Sequence, residues 1–397
     1  MSFKTRLSVL VLSTPVLAFV LIGGLLGNNA AARTGPDDKF RHLRVFEDVV
    51  SLVMNTYVED VKVDEVMEGA LRGLADGLDP DSAYLNAEQT REVQSGAALP
   101  AGEVGVELTR QFYLRVIAAR DGSPAARAGL QSGDYVRAID GKATRDLTVF
   151  EGTRLLRGAP GSTVVLTIIR GNAAEPHEVA LVREKASVPP VTSKVLDGAV
   201  GYLRIPAFSA STAADVKRHA AALAKGGARA LIVDVRRTAE GAIEHGIDTA
   251  RLFVKSGTLT AKAGRAKEGQ SEGPKEVLAA RAGDGTIELP VQVLISGGSA
   301  GAAEVFAAAL DGNARAELVG EHTIGRAAVQ KLVPIENRGL WLTYARYQTP
   351  TGDLIHGKGL KPDVAIEEPE VDVGSAPPTS DPVLDAALKR VKLSSMM

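Results

Sequence analysis

The chain has 397 residues, 45% hydrophobic and 24% charged, enough for two or three domains with a sizeable buried core. A formal net charge of −2 argues against general affinity for nucleic acid or anionic lipid, and the absence of cysteine excludes disulfides, a thiol nucleophile and cysteine metal sites. The six histidines follow no metal-ligating spacing, so no metal and no other cofactor is expected.

At the N-terminus, Lys4 and Arg6 precede an uncharged apolar run, Leu7 to Leu26. Its length suits a bilayer span with the basic flank on the cytoplasmic side. A cleaved signal peptide is the alternative, since Ala30-Ala31-Ala32 offers a small-residue cleavage site. Both readings export the rest of the chain. It is then either anchored in the inner membrane through residues 7–26 with its body in the periplasm or outside, or released as a periplasmic or secreted protein. Residues 1–36 comprise this segment and its linker.

Residues 37–100 read as helical. Leu43, Phe46, Val50, Val53 and Met54 recur at three- and four-residue spacing, and Val66, Leu71 and Leu74 resume the pattern after a break at Tyr57 to Asp64. Leu78-Asp79-Pro80-Asp81-Ser82 then ends the second helix, with Asp79 and Asp81 expected only as turn caps.

Residues 101–186 form a β-rich module. Strands start at Val104 and Leu114, Gly122 to Leu130 and Gly133-Asp134 supply turns, Val149 to Leu156 reads as a helix, and Gly161 to Arg170 alternates as a strand. Pro189-Pro190 is a stiff linker. Residues 187–368 alternate strand and helix: Gly201 to Ile205, a helix from Thr212 to Lys225 capped at Ser211 or Thr212, the buried strand Ala230 to Val235, and a helix from Glu244 to Val254. Gly264 to Gly285 is polar and glycine-rich, which predicts a mobile surface loop.

Val291 to Ile295 is a buried-type strand that runs through Gly297-Gly298 into a small-residue helix, Ala300 to Leu310. A strand entering a helix through a tight turn exposes a nucleophile beside free backbone N–H groups. Glu304 reads as a first-turn acid favoured by the helix dipole. Gly339 to Ala345 is a further strand. Residues 369–397 hold an acidic, proline-containing flexible segment and a last amphipathic helix capped by Asp381. The fold class is multidomain α+β and α/β: N-terminal helices, a small β module with two helices, and a βα core.

The motif order from Phe40 to Glu367 resembles the carboxy-terminal processing serine peptidases, the tail-specific proteases that carry a PDZ domain. Gly122-Ser123-Pro124-Ala125 with Ala128-Gly129-Leu130, Gly133-Asp134 and Ile139-Asp140-Gly141-Lys142 carry the likeness to an exported bacterial PDZ domain. The resemblance implies capture of protein or peptide C-termini at the loop Val104, Gly105, Val106 and Glu107 by strand addition. Glu103 places an acid beside that carboxylate cradle, which is expected to weaken anion binding. Gly357-Lys358-Gly359-Leu360-Lys361-Pro362-Asp363 matches the family's ending, and the core is expected to be crotonase-like.

The same resemblance locates the catalytic positions, and there this chain departs. Aligned through Gly297-Gly298, Glu304 and Gln330, the nucleophilic serine's position holds Gly301 and the lysine base's position holds Arg326, which keeps the family spacing of 25. Glycine has no group to attack with, and arginine keeps its proton. In the oxyanion region, which the resemblance puts at Glu240, Gly241 and Ala302, Glu240 replaces a glycine and Thr238 an asparagine. Gln330 is left a structural role. The expected protein is therefore a peptidase-shaped scaffold or regulator that binds polypeptide segments through its PDZ domain and former active-site cleft, with itself or an active relative as a possible oligomeric partner. The alternative is an atypical serine endopeptidase of the tail-specific class. It would use Ser299 with His322 or Lys331, and Ser296 is the other nearby hydroxyl.

Overall fold

A computed structural model describes residues 36–171, 175–267, 273–369, 371–372 and 378–394. The apolar run at residues 7–26 and its cleavage site lie outside the described residues. Among those described, no helix is long and apolar enough to cross a membrane. The chain divides into two compact units, one ending at Leu71 and the other beginning at Arg72. The first contains α1 (Pro36–Thr56) and most of α2 (Val63–Asp76), close to the two expected helices.

The second unit opens with β1 (Ala83–Leu85) and α3 (Ala87–Ser95), whose N-terminus is closed by a reciprocal Asn86–Gln89 capping box. The β module follows: β2 (Gly102–Glu103), β3 (Val106–Gln111), β4 (Tyr113–Ala119), α4 (Pro124–Arg127), β5 (Tyr135–Ile139), β6 (Lys142–Ala143), α5 (Val149–Leu156), β7 (Thr163–Ile169), β8 (His177–Val182) and β9 (Glu184–Lys185). Its sheet runs β3-β4-β5-β7-β8, with β6 on β5, and β2 pairs antiparallel with β9. Inward residues at alternate strand positions, such as Leu114 and Val116, Val164, Leu166 and Ile168, fill one core beneath α5.

The core domain begins with β10 (Thr192–Leu196), β11 (Val200–Arg204), α6 (Thr212–Lys225), β12 (Ala230–Asp234) and α7 (Ile243–Ala250). Next come β13 (Thr258–Gly264), β14 (Lys275–Ala279), β15 (Val291–Ile295), α8 (Ala302–Asp311), β16 (Ala316–Gly320), β17 (Ala328–Ile335), β18 (Arg338–Gln348), β19 (Val364–Ala365) and α9 (Pro382–Ser394). One sheet has the order β10-β11-β12-β15-β16-β19, parallel from β11 onward. Leu203, Val233 and Val293 face Val216, Ile247 and Phe306 of α6, α7 and α8. Ile232, Leu294 and Val319, one step along each strand, face Val383 and Ala387 of α9. Covering both faces explains why these strands read as continuous apolar runs. A second sheet runs β1-β18-β13-β14, with β17 on β18.

Two local expectations change. The segment expected as a loop between Gly264 and Gly285 contains β14, paired antiparallel to β13 with Ala261 opposite Val277. It is an edge strand with mostly exposed side chains, held by backbone bonds that leave no apolar signature. Ser211 occupies the N-cap of α6 but makes no side-chain cap; instead the Thr212 hydroxyl accepts from Ser209 N–H at 2.8 Å. Asp381 does cap α9, accepting from Leu384 N–H at 3.0 Å.

Candidate functional site

Gly301 lies where the β15 turn enters α8, with φ +59° and ψ −111°. L side chains rarely adopt that backbone, and strain of this kind gathers at functional turns. A Cβ built at Gly301 would meet the Arg326 carbonyl oxygen at 3.6 Å, an ordinary contact. Room for a side chain therefore remains at this glycine. The neighbouring serines are committed elsewhere. Ser299 is fully buried, and its hydroxyl donates to the Val235 carbonyl at 2.8 Å while accepting from Ser296 N–H at 3.1 Å. The Ser296 hydroxyl accepts from the N–H groups of Arg237 and Gly298.

Neither expected alternative base reaches them. His322 Nδ1 donates to the Thr323 carbonyl, and the Lys331 ammonium sits 5.0 Å over the Tyr344 ring. Ser299 is thus a brace for the turn, bonded to a strand carbonyl and not to a base.

Glu304 does more than the helix-dipole reading foresaw. It is fully buried, and one carboxylate accepts from the Thr323 hydroxyl, Gly325 N–H (2.7 Å), Arg326 N–H (2.7 Å) and Gly301 N–H (3.1 Å). Burial pushes its carboxyl up to about 7, while those four donors pull the other way. A single side chain thereby bolts the Gly301 turn to the loop that presents Arg326.

Arg326 Nε donates to Asp81 at 3.0 Å and Nη1 to Glu107 at 3.3 Å. Burial works against the guanidinium's charge, but Asp81 and Glu107 more than offset it and hold the group above its ordinary value. It cannot accept a proton. Burial likewise raises the Glu107 carboxyl, opposed by Arg326. The reading of Asp81 as a mere turn cap is corrected: Asp79 does the capping, accepting from the N–H groups of Asp81 and Ser82, and frees the Asp81 carboxylate for Arg326. The only sequence signal was the arginine itself, since a buried guanidinium demands carboxylates that local patterns do not locate.

The β module closes over this turn. Ile117 and Ala118 of β4 pack against Ala300, with Ala239 and Ile324 alongside. A Cβ at Gly298 would fall 2.3 Å from the Ser132 hydroxyl and 2.9 Å from the Ile117 carbonyl, so only glycine allows this approach. The former active-site cleft expected at this turn is therefore lined by the module's own strand. Arg120 spans the contact, donating to Glu240 at 2.9 Å and pairing with Glu103, which also pairs with Arg157 at 2.6 Å. The expectation that Glu103 burdens the peptide loop is corrected, because two guanidiniums neutralise it. Glu240 is likewise paired. Gly241 has φ +119°, and a Cβ there would strike the Phe208 carbonyl at 1.9 Å. Thr238, fully buried, donates to the Ile205 carbonyl at 2.7 Å and accepts from Arg204 at 2.9 Å. Ala302 is buried at the first turn of α8. Gln330 donates to Thr343 at 3.2 Å, which bonds Asp79, and among the described residues it makes no hydrogen bond to Arg326.

Gly105 has φ +73°, and a Cβ there would lie 2.3 Å from Ser123 Cβ. Val106 and Glu107 continue into β3, whose sole ladder partner among the described residues is β4. One strand edge is left for addition.

Comparison with known proteins bears on both halves. Peptidase family S41 matches residues 199–366, and the PDZ domain matches residues 115–170. A carboxy-terminal-processing protease of Bartonella bacilliformis is 32% identical over 345 residues, spanning 83% of this chain and 76% of that protein. The chain belongs to the carboxy-terminal processing protease family. Another relative in this family, the carboxy-terminal processing protease CtpA of Bacillus subtilis, is 29% identical over 100% of this chain and 88% of its own. A solved photosystem II D1 C-terminal processing protease superposes with a TM-score of 0.67 at 26% identity, over 81% of this chain and 92% of that one. The β module is thus the PDZ domain of this carboxy-terminal processing family member, and residues 199–366 hold its S41 core.

Proposed function

We propose that this chain is a non-hydrolysing member of its family, which binds the C-terminal tails of polypeptides through its PDZ domain as a scaffold or as a regulator of an active relative. One observation carries the reading: the nucleophile position is a glycine, and the base position is an arginine clamped between Asp81 and Glu107. Acyl transfer needs an attacking oxygen and a group able to take its proton. The Arg326 guanidinium can stabilise an anion but stays charged at any working pH. The relatives are named for processing C-termini; this chain keeps the recognition and omits the cleavage. Tail binding is supported by the left-handed Gly105 loop and by the edge of β3 that pairs with no second strand among the described residues. Residues 7–26 favour an exported protein held at the inner membrane, and release of the extracted membrane pool by carbonate alone would count against the anchor.

The test uses the purified exported part with unstructured polypeptides bearing apolar C-termini. No new fragment is expected over hours of incubation, and time-dependent cleavage would overturn the reading. Gly301→Ser combined with Arg326→Lys is expected to restore weak activity at most. A randomised C-terminal peptide library should be enriched over a Gly105→Trp control, in which any side chain distorts the loop. Equal recovery from both proteins would remove the binding claim.

A further inference from the structure

The PDZ groove has β3 and α5 as its two walls, and its ends differ in chemistry. Near the Gly105 loop, Gly102 and Gly158 form a backbone bridge, and Arg157 pairs with Glu103 beside it. That end is shut, so a chain can finish there but cannot run through. Between the ends α5 packs on the sheet: a Cβ at Gly152 would fall 2.2 Å from Leu114 Cδ1 of β4 and 3.3 Å from Leu108 Cδ1 of β3. At the far end Arg110 of β3 donates to the Arg145 carbonyl, just before α5, at 3.4 Å.

The C-terminal end of α2 is fastened to both walls at that far end. Arg72 donates to the Asp146 carbonyl at 3.1 Å and to the Glu151 carboxylate of α5 at 3.3 Å. Asp76, one turn on, pairs with Arg110 at 2.7 Å, with both side chains about three-quarters buried. Next to this clasp is a pocket of about 420 Å³, lined in part by Asp76, Leu78, Arg110, Phe112 and Asp146.

A ligand strand advances about 3.3 Å per residue. With its terminal residue opposite Val106, its fifth residue falls opposite Arg110, where the clasp begins. We infer that the C-terminal end of α2 is an end wall of the groove, which stops a bound tail from following β3 past Arg110 and turns its fifth residue aside into the pocket. Residues further upstream then add no strand contacts, because continuing along β3 would require breaking the Asp76–Arg110 and Arg72–Glu151 pairs. The inference rests on the PDZ domain being the tail-binding site.

The experiment takes the four-residue terminus best enriched from the randomised library. Ser-Ala repeats extend it upstream into labelled peptides of four to ten residues, and fluorescence anisotropy measures Kd on the whole exported part. Affinity should rise up to five residues and then stay within twofold. In the Arg72→Ala, Asp76→Ala double variant it should keep rising, at least threefold between five and nine residues. A charge swap, Asp76→Arg with Arg110→Asp, should bring the plateau back. Wild-type affinity that still climbs beyond six residues, or a double variant with the wild-type plateau, would overturn the end wall while leaving tail binding intact. Failure of every peptide on every protein would instead overturn tail binding, and the end wall with it.

Discussion

The turn around Gly301 and the PDZ domain meet across one contact, yet they retain different things. The turn is a frame: the sharp backbone at Gly301, the Ser299 brace and the Glu304 bolt are all present, and the positions proposed for nucleophile and base hold a glycine and an arginine. The PDZ domain has a left-handed Gly105 and a β3 edge that pairs with no second strand among the described residues, the two features that strand addition would use. A frame is maintained by packing and buried hydrogen bonds, whose loss unfolds the protein. Reactive groups contribute little to stability and can be exchanged without disturbing the fold.

That contrast can be broken or sharpened by substitution. The largest effect is expected for Glu304→Ala, which strands four donors in a fully buried site and should cost on the order of 4 kcal/mol by urea denaturation. The same residue has a pH signature. Its folded carboxyl titrates near 7 against a usual 4.5, so between those values the folded state binds the proton more tightly than the unfolded chain. Its contribution is greatest at acid pH, falls as pH rises through that window and is flat above it. Glu304→Gln should therefore remove a downward slope in stability from pH 4.5 to 7; an unchanged slope would assign the effect elsewhere.

Arg326→Met should come next, at roughly 2–3 kcal/mol, because it leaves the buried Asp81 carboxylate without its cation. Arg326→Lys should lose less, since one charge remains. If Met and Lys behave alike in thermal unfolding, the clamp is not electrostatic. Gly301→Ser is the mildest, about 1–2 kcal/mol from the unfavourable backbone alone, because the space for the side chain is open. A serine tolerated with no loss at all would mean that the turn relaxes freely and that the frame has not been held.

Much of this was legible beforehand. The heptad-like spacing of Leu43, Phe46, Val50 and Val53 marked a helix, and the turn glycines marked the PDZ loops. The run Val291 to Ile295 before Gly297-Gly298 marked the strand into α8. The β14 edge strand was not legible, because its backbone pairing asks nothing of its side chains. The state of Glu103 is hidden from the sequence for a related reason: Arg120 and Arg157 neutralise it from across folded segments.

By itself, then, the sequence determined the order of elements and which residues the family resemblance aligns with the catalytic positions, since periodicity, turn chemistry and motif spacing are local properties. Only the tertiary structure decided what those positions face. Asp81 reaches Arg326 from the far end of the chain, Glu107 reaches it from another domain, and Glu304 ties together backbone groups from two loops. A buried charge must be matched wherever the fold brings a partner within about 3–4 Å, and nothing in the linear spacing fixes where that will be.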